Sequence, residues 1–263
     1  MNKKQETEGK MFAGKRQEEI AAAVTERGSV KVAELASHYG VTEDLIRKDL
    51  TLLEKKGLLK KVYGGAVTVR ENLHRNSYKE RSALYTEERG EIAAKAMKMI
   101  RPGMVLFLDT SATSVLIADK IRESGMMLTV VTDMIAVMEA LLEANDVKLI
   151  FTGGLINETR DAFWSAFAQR AVSAYRYDLA LIGTAGINLE KGWIYTYSEE
   201  DGLLKRAVNE RAEVTCILTE AHKLREEGDY IYAELRDVQK ILLGRMPEKE
   251  EAEAARKYRT EIR

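Results

Sequence analysis

From residue 104 onward the chain alternates mostly apolar runs with amphipathic segments. The runs are Met104–Leu108, Met127–Val131, Val147–Phe151, Leu179–Ile182 and Val214–Leu218. Between them lie Ser114–Glu123, Met134–Glu143, Ala162–Ala174 and Glu199–Arg211. A strand that is apolar on both faces must be covered on both faces, and crossover helices do this for a parallel sheet. The expected body is therefore an α/β domain over residues 91–246. Pro102 and Pro247 are the two prolines, so the elements are little interrupted. Residues 247–263 are highly charged and read as an exposed helical tail, and no internal repeat is visible.

The first 70 residues read differently. Residues 1–13 read as a polar, flexible leader. From Lys15 the apolar positions Ile20, Ala23 and Val24 recur at helical spacing, and Gly28 ends that helix. Val32, Leu35, Ala36 and Tyr39 mark a second short helix, and Gly40 makes a tight turn. Thr42 is the N-cap of a third helix, with Glu43 and Asp44 in the first turn, where negative charge suits the helix dipole. Ile46, Leu50 and Leu53 give that helix one apolar face, and Gly57 stops it. Leu58–Val69 is strand-like and interrupted by Gly64-Gly65, which reads as a hairpin turn. Three short helices and a hairpin outline a small α+β winged helix-turn-helix domain over residues 14–70. Residues 71–90 are charge-balanced and poorly periodic, a linker that becomes helical near Thr86.

Charge supports a division of labour. The chain holds 41 Lys and Arg against 42 Asp and Glu. Residues 1–70 carry 14 basic and 10 acidic side chains, which leaves 27 and 32 for the rest. A basic head on an acidic body suggests a polyanion-binding module joined to something else, although a solvated basic helix face fits the charge equally well. On the third helix the face opposite Ile46, Leu50 and Leu53 presents Glu43, Asp44, Arg47, Lys48 and Thr51. Arg47 or Lys48 suits a guanine edge or a phosphate. Lys55, Lys56, Lys60 and Lys61 suit the DNA backbone, with salt-sensitive affinity. The candidate DNA-binding set is Thr42, Glu43, Asp44, Arg47, Lys48, Thr51, Lys60, Lys61, Tyr63 and Gly64. A three-helix protein-interaction domain is the competing reading.

Other classes are excluded or unsupported. The longest uncharged stretch, Leu179–Leu189, is far short of the ~20 residues of a membrane span. Met1–Lys10 lacks the apolar region of a secretory signal, and Cys216 is the one cysteine, so a cytoplasmic protein without disulfides is expected. His38, His74 and His222 are scattered, which supports no metal site, and no cofactor is implied. Trp164 and Trp193 read as packing residues. In the body, Asp109–Thr113 ends the first strand and opens a helix, so Thr110, Ser111 and Thr113 offer hydroxyls beside free helical N–H groups. Gly153-Gly154 follows another strand and permits close approach, and Lys223, after the last apolar run, offers a point charge to a phosphate.

The ordered set Val32-Ala33-Glu34-Leu35-Ala36, Val41-Thr42, Ile46-Arg47-Lys48-Asp49-Leu50, Leu53-Glu54, Gly57-Leu58-Leu59 and Tyr63-Gly64-Gly65-Ala66 resembles the signature of DeoR-family bacterial transcription regulators. Arg81, Ile92-Ala93, Ala96, Leu108-Asp109, Val130-Val131-Thr132, Gly153-Gly154, Asp178, Gly183, Lys205 and Lys223 continue it in the family's order. The resemblance covers residues 15–245. It implies a winged-helix head joined to a sensor domain similar to the ribose-5-phosphate isomerase and coenzyme A transferase folds. It further implies a double-stranded DNA operator, a phosphorylated sugar or similar metabolite as effector, and regulation of a carbohydrate or related operon, usually by repression. The implied effector set is Asp109, Thr110, Ser111, Ala112, Thr113, Thr132, Asp133, Gly153, Gly154 and Lys223. The chain departs from the family pattern at Leu45, where Thr is common, and at Asp133, where Asn is usual. The stretch Glu220-Ala221-His222-Lys223 keeps only its Lys. Paired operator half-sites imply a homodimer or homotetramer. The alternative is a sugar-phosphate isomerase-like enzyme with an appended head, using Asp109, Asp133 and Lys223 for proton transfer.

Overall fold

The structure is a computed structural model and describes residues 14–17, 19–24, 28–56, 58–67, 78, 82 and 84–263. The readings of the leader, of Gly57, of residues 68–70 and of most of the linker fall outside them. The chain divides into two compact units, residues 1–71 and 72–263.

In the first unit residues 14–17 and 19–24 are helical. They are followed by β1 (Ser29–Lys31), α1 (Val32–Tyr39), α2 (Glu43–Lys55), β2 (Lys60–Val62) and β3 (Gly65–Val67). Gly40 ends α1 in the left-handed region, and the Thr42 side chain accepts the Leu45 N–H at the start of α2. Ile46, Leu50 and Leu53 pack with Ile20, Val24, Leu35 and Leu59. Asp49 shares this buried side. Its carboxylate accepts hydrogen bonds from Arg16 Nε at 2.7 Å and Gln17 Nε2 at 2.8 Å. β1, β3 and β2 form an antiparallel sheet in that order, and the unit is a winged helix-turn-helix. The hairpin turn sits one residue earlier than expected. Val62 pairs with Gly65, so Tyr63 and Gly64 make the turn, with Gly64 at φ 79°. Gly65 belongs to the strand, where a Cβ would lie 2.1 Å from the Val30 carbonyl oxygen. Close approach of β1, rather than turn geometry, requires glycine there.

In the second unit Tyr78 and Ser82 are helical; α3 (Thr86–Met97) begins inside the span read as linker and buries Arg89. There follow β4 (Val105–Leu108), α4 (Ala112–Ser124), β5 (Leu128–Thr132), α5 (Ile135–Leu141), β6 (Val147–Phe151), α6 (Ala166–Ser173) and β7 (Tyr177–Gly183). After a small insertion come α7 (Glu199–Asn209) and β10 (Ala212–Leu218), then β12 (Lys240–Leu242), α8 (Lys249–Arg256) and β13 (Glu261–Ile262). Seven strands pair in the order β13-β12-β10-β7-β4-β5-β6, every pair parallel. Alternate residues feed two separate cores: Leu106, Leu108, Leu179, Leu181 and Cys216 one, Phe107, Ala180, Ile182 and Ile217 the other. This is why the strands read as mostly apolar runs rather than as an alternation of apolar and polar residues. β6 forms one margin of the sheet.

Two features were not expected. β8 (Gly186–Asn188), β9 (Trp193–Thr196) and β11 (Tyr230–Glu234) form a separate antiparallel sheet. The charged tail is not simply exposed: β13 pairs with β12, and Ala255 and Ile262 join the core. The buried Thr260 hydroxyl donates to the Val238 carbonyl at 3.2 Å, and Arg245 pairs with Glu251 at 2.6 Å. No described helix is long and apolar enough to cross a membrane.

Asp49 is buried and its partner Arg16 partly so, and a hydrogen bond to a charged group in such a place contributes on the order of 2 kcal/mol. Asp49→Ala is expected to lower the stability of the first unit by about 2 kcal/mol, seen as faster amide exchange across α2. Unchanged exchange would show that Arg16 and Gln17 do not depend on this carboxylate.

Candidate functional site

In the first unit Thr42, Glu43, Asp44, Arg47, Lys48, Lys60, Lys61, Tyr63 and Gly64 are exposed, and Thr51 is half-buried. The cationic flank of α2 is thus on the surface. Arg47 is held along the helix by Glu43 at 2.5 Å and Asp44 at 2.8 Å. Such exposed pairs contribute little stability; here they orient the guanidinium. Lys61 Nζ donates to Thr51 Oγ1 at 2.7 Å, and the Lys61 N–H donates to Glu54 Oε1 at 2.8 Å. These bonds hook β2 onto α2, so helix and wing present one surface. Tyr63 stands fully exposed at the wing tip.

In the second unit the strand order reverses between β4 and β7. The loops after these strands diverge and leave a crevice at their carboxyl ends. A cleft opens there, lined by Thr110, Ser111, Ala112 and Thr113 after β4 and by Gly183, Thr184 and Ala185 after β7. Arg89, Tyr197, Lys205, Leu218, Glu220 and Lys223 complete it. Ser111 caps α4, its hydroxyl accepting the Ser114 N–H at 3.1 Å.

Beneath the cleft lies a buried charge cluster. The Asp109 carboxylate accepts from Gly183 N at 2.7 Å and Ser114 Oγ at 2.9 Å, and faces Lys205 Nζ at 3.6 Å. Lys205 Nζ lies 2.7 Å from Asp201 and 5.6 Å from the centre of the Tyr232 ring. Burial opposes the charge on Lys205, but Asp201 and then Asp109 hold its pKa above the usual lysine value. A Cβ on Gly183 would lie 2.7 Å from Ser111 Cβ, so this contact between the two loops needs glycine. At the rim, Glu220 pairs with Arg89 at 2.5 Å and with Lys223 at 2.7 Å. Burial works against the Glu220 anion, yet Lys223 and Arg89 keep its carboxyl well below the ordinary range. The Ala221 N–H donates to Glu88 Oε1 at 2.7 Å, and His222 stacks on Tyr85 at 4.4 Å. Burial, then Lys223, push the His222 imidazole down to about 4, so it is neutral near pH 7.

The expected effector residues therefore divide. Thr110, Ser111, Ala112, Thr113 and Lys223 line the cleft, with Asp109 just below. Thr132, Asp133, Gly153 and Gly154 are not among its lining. The Thr132 hydroxyl accepts the Met134 N–H at 3.1 Å, and Gly153 and Gly154 take positive φ after β6. Asp133 Oδ2 accepts from Thr110 Oγ1 at 2.8 Å and Trp164 Nε1 at 3.1 Å, so Trp164 does more than pack. Asp133 Oδ1 has no hydrogen-bond partner. Burial, aided by Asp201 and Asp109 and opposed by the Thr110 bond, raises the Asp133 carboxyl to about 7. Lys205 and Gly183 appeared in the sequence only through the family resemblance. Arg89 and Thr184 carried no signal as site residues, and Glu220 entered only as a departure from the family's stretch before Lys223. Among the described residues no cluster of three His, Cys, Asp or Glu could hold a metal ion.

A winged helix-turn-helix head with a cationic outer helix, in one chain with an α/β unit whose polar cleft sits at the strand-order reversal, defines a transcription regulator with a sensor domain. Residues 16–72 match the DeoR-like helix-turn-helix domain, and residues 85–245 match the DeoR C terminal sensor domain. The chain belongs to the DeoR family. It is 30% identical over 249 residues to the "Putative aga operon transcriptional repressor" of Escherichia coli O157:H7, covering 94% of this chain and 92% of that protein. It is 27% identical to the "HTH-type transcriptional repressor GlcR" of Bacillus subtilis, over 90% of each chain. Among solved structures, ribose 5-phosphate isomerase A of Methanocaldococcus jannaschii is similar over 51% of this chain and 52% of its own, at 16% identity and a TM-score of 0.38. The fold assignment rests on the strand order and pairing above.

The Asp133 carboxyl gives a pH-dependent stability. Between its ordinary pKa of 3.8 and its folded value of about 7, the folded chain keeps a proton that the unfolded chain releases. Stability therefore falls across that window as pH rises and is level above it. Asp133→Asn removes the effect. Its melting temperature is expected to exceed that of the wild type at pH 8 and to match it near pH 4. Parallel melting curves across this range would show that Asp133 is ionised at no cost.

Proposed function

We propose that this chain controls a carbohydrate-related operon by binding its operator as a homo-oligomer, with repression relieved or imposed by an anionic metabolite such as a phosphorylated sugar. The single observation that carries this reading is the pairing of two features. One is an outward cationic helix hooked to its wing. The other is a cleft at the strand-order reversal, rimmed by hydroxyls, a helix N-terminus, Arg89 and Lys223. Arg47 and Lys48 address the major groove from α2, flanked by Thr42, Glu43, Asp44 and Thr51. Lys60, Lys61, Tyr63 and Gly64 place the wing against the phosphate backbone.

In the cleft, Thr110, Ser111 and Thr113 serve the ligand as hydrogen-bond partners, and the start of α4 favours its negative charge. Arg89 and Lys223 are already engaged by Glu220, so an incoming phosphate competes with that carboxylate for both cations. The Glu220–Lys223 turn also holds the beginning of α3 through Glu88 and Tyr85. A change at this turn is the route by which an occupied cleft reaches the linker and the DNA-binding heads. Lys205 is fully engaged by Asp201 and Asp109, and Asp133 lies behind Thr110. Neither is poised to exchange protons with a ligand, and we assign the chain no catalytic step.

Binding to duplexes from the region upstream of its own gene tests the reading. Arg47→Ala combined with Lys48→Ala is expected to weaken binding at least tenfold and to flatten its dependence on salt, with circular dichroism unchanged. A panel of pentose and hexose phosphates should contain one that shifts the wild-type affinity and fails to shift that of Lys223→Ala. Sedimentation at micromolar concentration should show a dimer or larger. A monomer, an affinity no phosphosugar alters, or turnover of a phosphosugar by the purified chain would each contradict the corresponding part.

A further inference from the structure

Leu45 is the third residue of α2, and 37% of its surface is open. The α2 members of the buried cluster are Ile46, Leu50 and Leu53, and Leu45 is not one of them. Its neighbours Glu43, Asp44, Arg47 and Lys48 are all exposed. An apolar side chain thus stands in the middle of a charged outward face, at the end of the helix whose N-terminal residues meet base edges in this class of domain. Its backbone is fixed there by the bond from the Leu45 N–H to Thr42 Oγ1 at 3.4 Å.

The charges around Leu45 say what it faces. Glu43 and Asp44 would be repelled by phosphates, whereas Lys48, Lys60 and Lys61 would be attracted. The first turn of α2 therefore suits the groove floor, and the cations suit its walls. In the major groove the one apolar group a base edge offers is the C5-methyl of thymine. Leu52 and Leu58 are also open, at 47% and 49%, but Leu52 lies two turns further along α2 and Leu58 beyond its end.

We infer that Leu45 is a specificity-determining residue that reads a thymine methyl group in the operator. The inference rests on the DNA-binding reading above and deepens it. Selection from a random-sequence duplex pool with the full chain is expected to yield half-sites with one fixed thymine. Replacing that thymine by deoxyuridine removes only the methyl. Wild-type affinity should then fall about fourfold, as for loss of one buried methylene-sized group. Leu45→Ala should bind both duplexes equally well, and Leu45→Met should keep a preference for thymine; circular dichroism verifies that both variants fold. Equal binding of thymine and deoxyuridine duplexes by the wild type, or a preference that survives in Leu45→Ala, overturns the inference while leaving DNA binding intact. If no sequence is enriched, the DNA-binding reading falls and this inference with it.

Discussion

One carboxylate closes the strand-order reversal of the sensor domain. Asp109 stands at the end of β4, takes hydrogen bonds from Ser114 on α4 and Gly183 at the end of β7, and faces Lys205 on α7. The loops after β4 and β7 diverge at this point, so little backbone pairing can hold them there. A buried anion with three partners does so, and the residues above it line the cleft. Burying such a charge is costly without partners, so the floor of the cleft is defined by the completeness of this cluster.

The same device recurs twice. Glu220 gathers Arg89 and Lys223 at the rim, joining the turn after β10 to α3. Asp49 gathers Arg16 and Gln17 in the DNA-binding head, joining α2 to the helical residues before it. In each case a buried carboxylate fixes the angle between elements distant in sequence, where apolar contacts alone tolerate sliding. The first turns of α2, Glu43 to Lys48, then keep an outward face that is mostly charged and needed neither for the buried cluster nor for the hook to the wing.

What the sequence disclosed follows the same line. β4, β5, β6, β7 and β10 were legible because both of their faces are apolar. Gly186–Asn188 of β8 is only three residues long and sits inside an uncharged run, so nothing marked it as a separate strand. β13 has two residues within a charged segment, and its place depends on pairing with β12. In the cleft, Thr110–Thr113 could be read because hydroxyls cluster directly after a strand. Helical pattern did not mark Lys205 or Arg89, since a cation on an amphipathic helix looks solvated until a distant carboxylate is placed beside it: Asp109, 96 positions before Lys205, and Glu220, 131 positions after Arg89. Lys223 was visible as a cation but not as one already engaged.

The margin of the sheet at β6 has a consequence for how the protein behaves in a crowded solution. Val147, Leu149, Ile150 and Phe151 are only half-covered there, while Lys148 between them is exposed. An apolar strand at an open border is a template on which foreign chains can stack and start aggregates. A newcomer pairing along it would have to strip water from the Lys148 ammonium, and that single charge acts as a gatekeeper for the border.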